Sequence, residues 1–554
     1  MAVTVTDNRT IFNEADATTG WSGTASLFTT DPAPVEATGC LGYIVSTATV
    51  DAYFTGTAVN LSNKLVYAWT LPRGAMDTVA NGGVSIILGD GTNRVAFHLA
   101  GSDLAGFRHD DGPVFWQCHV LDTSNLPAAR TVRAGTFAAL NFAAITQIGV
   151  TFKTLAKALA NLPNCFVDIV RYGDPTLNSG AMLNITGGTS VAPGKFSEIA
   201  AADRTTTNQQ AFGVVRQLGS TAYGLQGALR FGNATGTASS WFEESNITVL
   251  FESRGLATTR YGIYLADNGV GTTTWKLGTK VGTGTAATGS NGCSFVCPAG
   301  VGAVFDAATD TDVTDVFIYG STFSGFNNGF KMRTGQEFIG SRLIASGTFE
   351  TNGATIVNSE ITSSTATTAL IVNSVAEMNA IANSSFTGNN RAISITAPGT
   401  YTFDNLQFSG NTYDIENTSG GAVVINATNG SNVSTFINTA GGSVTINNAK
   451  TFTISNITNN TEIRIFRISD LAELAGAENV GSSPSGLNNI TVASDPINAG
   501  RYTATYSYNY VGDIPIYVVA MSLQYQWLRQ TTALTSTSTT FQISQIIDRQ
   551  YSNN

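Results

Sequence analysis

The chain has 554 residues, of which 42% are hydrophobic and only 12% charged, with a net charge of −10. That hydrophobicity excludes a disordered polymer, and the acidic balance argues against wrapping nucleic acid, which calls for a basic stripe. The length exceeds what a single core serves, so several domains are expected.

Residues 1–175 read as one all-β domain. Short apolar or alternating runs at 41–46, 65–71, 84–88, 114–120, 145–150 and 166–172 are separated by Gly, Asn and Asp clusters. Their lengths and spacing predict a two-sheet sandwich or jelly roll, with a short helix at 154–162. The first residues, Met1 to Asp7, lack a basic stretch followed by an apolar run, so no secretion signal is expected. Residues 176–245 are rich in Gly and turns. They read as a linker and a cap, with 212–216 and 223–231 as its strands, because an open solenoid end exposes unpaired backbone.

From Ile247 to about 460 the pattern is one of coils. Phe323, Leu343, Ile361, Phe386 and Phe408 each stand between small or polar residues, at steps of about twenty. A drifting period of that size predicts a parallel β-helix, whose turns vary while its strands stay stacked ~4.8 Å apart. Segments 421–426 and 442–447 end in Asn, read as a turn residue that tolerates left-handed backbone. After about 461 alternation dominates. Residues 462–468, 501–510, 514–519 and 540–547 predict a small C-terminal sandwich, with Tyr502, Tyr506, Tyr508 and Tyr510 on one strand face. The run 514–523 is too short to cross a bilayer, and no membrane insertion is expected.

Few residues suggest chemistry. Asp306, Asp310, Asp312 and Asp315 form the densest acidic cluster and are the candidate Ca²⁺ ligands, although the Gly and Glu of an EF-hand loop are absent. Asp414 and Glu416, two residues apart on one strand face, are the best pair for a polysaccharide-cleaving site. They run straight into a turn, which suits exposed, solvated acids. His109, Asp110 and Asp111, followed by Trp116, offer planar donors, carboxylates and an aromatic platform, the makings of a glycan-binding edge. Trp116 equally suits strand packing. Five cysteines at 40, 118, 165, 293 and 297 are too widely spaced for a disulfide framework. Cys293 and Cys297 lack the further ligands of a metal site and read as buried thiols. Neither a nucleophile elbow nor a phosphate loop is present: the only Gly-Lys step, Gly194-Lys195, is followed by Phe196. No catalytic constellation and no cofactor other than Ca²⁺ is indicated.

The opening phrases Asp7-Asn-Arg-Thr, Asn13-Glu-Ala-Asp and Thr19-Gly-Trp-Ser resemble phage particle proteins that carry a lectin-like jelly roll. The ending, Tyr525-Gln-Trp-Leu-Arg and Phe541-Gln-Ile-Ser-Gln-Ile-Ile-Asp-Arg-Gln-Tyr, is similar to them too. With the all-β order of head, coils and tail, the chain resembles bacteriophage virion proteins of the spike and fibre type. The resemblance implies a jelly-roll head, a right-handed parallel β-helix body and a small C-terminal β-sandwich. It also implies a homotrimer, made in the host cytoplasm and placed in the virion, that contacts other tail, baseplate or capsid proteins. Host surface polysaccharide is a candidate partner. Some members cleave such polysaccharide, and a tailspike depolymerase is the second reading. A bacterial surface adhesin is the third, disfavoured by the missing export signal.

Overall fold

The computed structural model describes residues 3–35, 38–45, 49–72, 85–99, 116–152, 163–173, 183–202, 212–232, 239–253, 255–266, 272–299, 301–310, 315–510, 513–535 and 537–548. The fold is all-β, with two short α-helices among these residues, Phe196–Ala202 and Val375–Met378. No described helix is long and apolar enough to cross a membrane. The chain divides into two compact units, Met1–Val281 with Thr288–Glu350, and Gly282–Ala287 with Thr351–Asn554.

The first unit opens on a sandwich. One antiparallel sheet orders Arg130–Ala134, Arg94–His98, Ser85–Gly89, Ile145–Phe152 and Val50–Val59; the other orders Ala25–Phe28, Cys40–Tyr43, Cys165–Gly173, Leu65–Pro72 and Gln117–Asp122. Leu41, Val66 and Val167 from the second sheet meet Ile86, Phe97 and Val150 from the first in one core. Each of the six expected runs holds a strand. The expected helix at 154–162 lies outside the described residues.

The start of the chain departs from the expected head domain. Val3–Asp7 pairs antiparallel with Leu183–Gly187, and so covers the free edge of the first coil strand. Arg9, fully enclosed, explains why this segment holds its place. Its Nε donates to Asp7 Oδ1 at 2.7 Å, its Nη1 to the Phe212 carbonyl at 2.8 Å, and its guanidinium lies 4.3 Å from the Tyr67 ring centre. Arg171 donates to the same Asp7. A second tie joins sandwich to coils: Arg260 donates to Asp122 Oδ2 at 3.0 Å and to Ser124 Oγ at 2.9 Å.

Parallel stacking begins earlier than Ile247. Leu183–Gly187 already pairs parallel with Ala228–Phe231, and Ala222–Leu225 with Thr248–Phe251. The Gly-rich composition between these strands hid them, because their coils are linked by longer turns. Helix Phe196–Ala202 plugs this end, its buried Phe196 ring meeting Phe231, Phe242 and Phe295 at 5.9, 5.5 and 6.1 Å.

Each coil then visits three sheets in the same order, as in Asp315–Tyr319, Thr322–Ser324 and Phe330–Lys331 followed by Glu337–Ile339, Arg342–Ile344 and Phe349–Glu350. Phe295, Phe323 and Leu343 are rung partners in the first unit; Ile361, Phe386 and Phe408 are rung partners in the second. Stacked rings fill these columns: Phe295 on Phe323 at 4.9 Å and 4°, Phe386 on Phe408 at 5.3 Å and 14°. All five spine residues expected from the period are buried.

The corner before each spine strand has its own chemistry. A left-handed residue, Gly320, Gly340, Asn358, Asn383 or Asn405, turns the chain at φ between 50° and 59°. A buried serine follows in most coils. Its hydroxyl donates to the carbonyl two residues back and accepts an N–H from the neighbouring coil. Ser341 Oγ takes the Ser321 N–H at 3.1 Å, and Ser384 Oγ takes the Ser359 N–H at 3.1 Å. The corner N–H groups of Cys293, Ser321, Ser359 and Leu406 thus each find a serine hydroxyl on the next coil. Gly is required at 320 and 340 because a Cβ there would meet Gly289 backbone at 2.8 and 2.4 Å. Asn426 and Asn447, read from sequence as turn residues, instead sit on paired strands, with Asn447 Nδ2 donating to Asn426 Oδ1 at 2.9 Å.

The C-terminal sandwich starts at Ala449 rather than 461. Ala449–Ile457 is a strand of the sheet ordered Ile490–Ser494, Tyr502–Asn509, Ala449–Ile457, Thr539–Gln542. Its alternation of Phe452 and Ile454 imitates a coil, so the sequence places the boundary after it. The facing sheet orders Glu473–Val480, Thr461–Arg467, Ile514–Ser522 and Tyr525–Leu534. Tyr508 is in the core between them, with Tyr502, Tyr506 and Tyr510 packed against it.

Candidate functional site

The structure separates the residues that the sequence grouped. His109, Asp110 and Asp111 lie outside the described residues. Trp116 is 0% exposed, and its indole N–H donates to the Ala33 carbonyl at 2.8 Å. No sugar can stack on a ring so enclosed; Trp116 is a packing residue, and the glycan platform expected there is corrected accordingly.

Asp306 caps a turn. Its Oδ1 accepts the N–H groups of Ala308 and Thr309 at 3.1 and 2.9 Å, and its Oδ2 accepts the Thr309 hydroxyl at 2.6 Å. Asp315 accepts the Thr274 hydroxyl at 3.4 Å, Asp310 lies near the Arg230 guanidinium, and Asp312 lies outside the described residues. These acids face different partners. Among the described residues no three His, Cys, Asp or Glu side chains converge on a point where a metal ion could sit. Cys293 and Cys297 are buried, and burial pushes their thiols up to about 11 and about 12, which disfavours the thiolate a metal needs.

Asp414 and Glu416 are not the solvated acids their turn suggested. Both are buried, flanking the inward Ile415. Asp414 Oδ2 accepts the N–H groups of Ser434 and Thr435 at 2.9 and 3.1 Å. Glu416 accepts from Arg391 and from the hydroxyls of Thr368 and Thr439 at 3.0 and 2.9 Å. Carboxylates engaged in this way pin the next coil to the last and have no open side for a water or a glycosidic oxygen.

A concave site does exist, in the C-terminal sandwich. A cleft of about 800 Å³ opens where the two sheets part, lined by Arg467, Asn489, Thr491, Tyr506, Ile514 and others. That size falls in the range of small-ligand sites. Arg467 closes the strand Thr461–Arg467, in which Ile463 and Ile465 are fully buried. It therefore continues an inward row, a charge where the alternation asks for an apolar side chain. That misfit is the sequence signal for the cleft. Arg467 Nη1 donates to Asp470 at 3.0 Å, while its Nε is shielded from solvent and has no acceptor among the described residues. Tyr506 stacks on Tyr508 at 5.8 Å and 22°. Burial raises the Tyr506 hydroxyl above its usual range, against an opposing pull from the Arg467 charge nearby. The hydroxyl of Tyr508 is fully used, donating to the Thr535 carbonyl at 2.7 Å and accepting the Thr535 N–H at 3.1 Å.

No protein-family model matches this chain, and no curated protein matches it.

Proposed function

We propose that the chain is a structural protein of a bacteriophage particle, a homotrimeric fibre, spike or capsid-surface decoration that meets host surface glycans. Its body is a right-handed parallel β-helix and its head a jelly roll. The observation that carries this reading is the stack of three-strand coils with Phe columns inside and Asn and Ser ladders at the corners. Such a column, in a chain with only 12% charged residues, is suited to close packing of identical copies, because few ions must be desolvated when sides meet. The depolymerase reading is weaker, because Asp414 and Glu416 are occupied in holding coils together. Light scattering of the purified chain tests the assembly. Three times the mass of one chain is expected, and a single-chain mass overturns the trimer. Sustained release of new reducing ends from host capsule or lipopolysaccharide would replace this reading with the depolymerase.

A further inference from the structure

The cleft of the C-terminal sandwich differs in character from the rest of the protein. The chain carries a net charge of −10, yet among the described residues lining the cleft the one side chain with a full charge is Arg467. Around it stand Asn489, Thr491 and Thr505, and the partly buried Tyr506, with Ile490 and Ile514 as the apolar floor. Hydroxyls, an amide and an aromatic ring are what a pyranose needs: each ring hydroxyl both donates and accepts, and the C–H face of a sugar lies well on an aromatic ring. A single guanidinium adds a preference for one negative charge.

The arginine is built for such a partner. Asp470 takes only Nη1, from an exposed position outside the lining. The opposite edge, Nε with Nη2, is the edge that binds a carboxylate through two parallel hydrogen bonds. Here Nε is shielded and lacks an acceptor among the described residues, so the guanidinium gains a bond by turning that edge toward the cleft. The side chain retains 40% exposure, which leaves room for the turn.

We propose that this cleft binds a saccharide bearing a carboxylate, of the uronic-acid class, with Arg467 receiving the carboxylate and Tyr506 and Asn489 the sugar ring. The proposal rests on the reading of the chain as a protein that meets host glycans, and moves that contact from the head domain to the tail.

Titration calorimetry of the full chain with trigalacturonate, and with maltotriose as the neutral control, tests it. Trigalacturonate is expected to bind and maltotriose to give no heat in the same range. Arg467→Gln is expected to weaken binding at least about tenfold, and Asn489→Gly, which tolerates the left-handed backbone at φ 51°, by a smaller factor. Both variants should keep the melting transition and the light-scattering mass of the parent. Absence of trigalacturonate binding, equal binding of maltotriose, or binding unchanged by Arg467→Gln each overturns the proposal. A trimer that ignores trigalacturonate sinks the cleft alone; a single-chain mass with Arg467-dependent binding sinks the assembly and leaves the cleft standing.

Discussion

Truncating Phe323 to Ala strikes the column at its most crowded point. The side chain is fully buried and its ring meets Phe295, Phe305, Phe326 and Phe330 at 4.9, 5.5, 5.3 and 5.0 Å. A buried Phe-to-Ala change costs about 3–5 kcal/mol, and these ring neighbours, with Phe338 further off at 6.5 Å, each contributing ~0.5–1.5 kcal/mol beyond area, place this one toward the upper end. Strands on both sides pair with Phe323, so no single coil can collapse into the space without breaking register. A chain with several cores does not unfold in one step, so the readout must be local. Hydrogen exchange at the amides of 294–296, 322–324 and 342–344 is the assay. At 1.4 kcal/mol per tenfold, protection there should fall by roughly 100- to 3,000-fold. Phe317→Ala is the control. Phe317 faces outward, half-buried, with Tyr319 as its ring neighbour at 6.2 Å, and its loss should cost only about 1 kcal/mol. If Phe317→Ala loosened these amides as much as Phe323→Ala, or if Phe323→Ala changed them less than tenfold, the column would not be what holds the coils.

The corners, the first coil strands and the opening segment each make a prediction. Ser384→Ala strands the Ser359 N–H, bonded at 3.1 Å, and leaves the Ala382 carbonyl with only the Asn358 N–H at 3.2 Å; it should cost about 1–3 kcal/mol, read as faster exchange of the Ser359 amide. Glu244 is buried, and burial raises its carboxyl above the ordinary 4.5 despite the Phe196 N–H it accepts. Its raised value means the folded state prefers the proton, so stability is lost as pH climbs above the unfolded value. Glu244→Gln, which keeps the accepting oxygen, should therefore melt with the parent near pH 4 and above it at pH 8; equal melting at both would refute the burial argument. Asp7 is the opposite case. Burial alone would raise its carboxyl, but Arg9 and Arg171 outweigh it and hold it below 3.8. Its contribution is thus complete above that pH and lost below it. Asp7→Asn removes the carboxylate that Arg9 and Arg171 share, takes the ion-pair partner from the fully enclosed Arg9, and should destabilise this region at neutral pH by about 3–5 kcal/mol, seen in the fluorescence of Trp69, 5.2 Å from Arg9.

What the sequence disclosed was whatever repeats in apolar residues. Phe323, Leu343, Ile361, Phe386 and Phe408 stand in columns because burial leaves a periodic trace. Phe295 and Phe305 belong to the same kind of stack, yet the hairpin of Thr279–Val281 with Thr288–Ser290 is inserted between coils and breaks the period. The serines were in plain view at the head of each repeat, but their role is to pair a neighbour's N–H, and a hydrophobic pattern is blind to hydrogen bonding. Trp116 was ambiguous because an aromatic in a strand looks the same whether it faces sugar or core. Arg467 was legible only by parity. Its place follows only from the register of Ile463 and Ile465 continued to the strand's end, where a charge breaks the apolar row. Long-range partners such as Phe212 for Arg9 leave no local trace at all.

The scarcity of charge, which first set this composition apart, follows from the stacking. In a parallel column every residue faces its counterpart one rung away, ~4.8 Å off, where two like charges repel by about 0.9 kcal/mol even in water and several times that near a protein surface. A repeated Lys or Glu would therefore oppose the fold at every rung. Asn and Ser do not suffer this, since each both donates and accepts and can bond to a copy of itself, as Asn405 does to Asn383 at 2.9 Å and Asn447 to Asn426 at 2.9 Å. Where charges do face each other along the described parallel rungs, their signs alternate. Glu243 is the partner of Lys276, and Asp306, Lys331 and Glu350 follow one another in a single column. Lys276 donates to Glu243 at 2.9 Å, so the alternation is used as a bond as well as an avoidance. The same rule extends to contacts between copies: a coil whose sides are amide and hydroxyl offers neither repulsion nor a costly desolvation to an identical neighbour. A composition of few ions and many amides is thus what in-register stacking selects, first within one chain and then, in the assembly proposed for it, between chains.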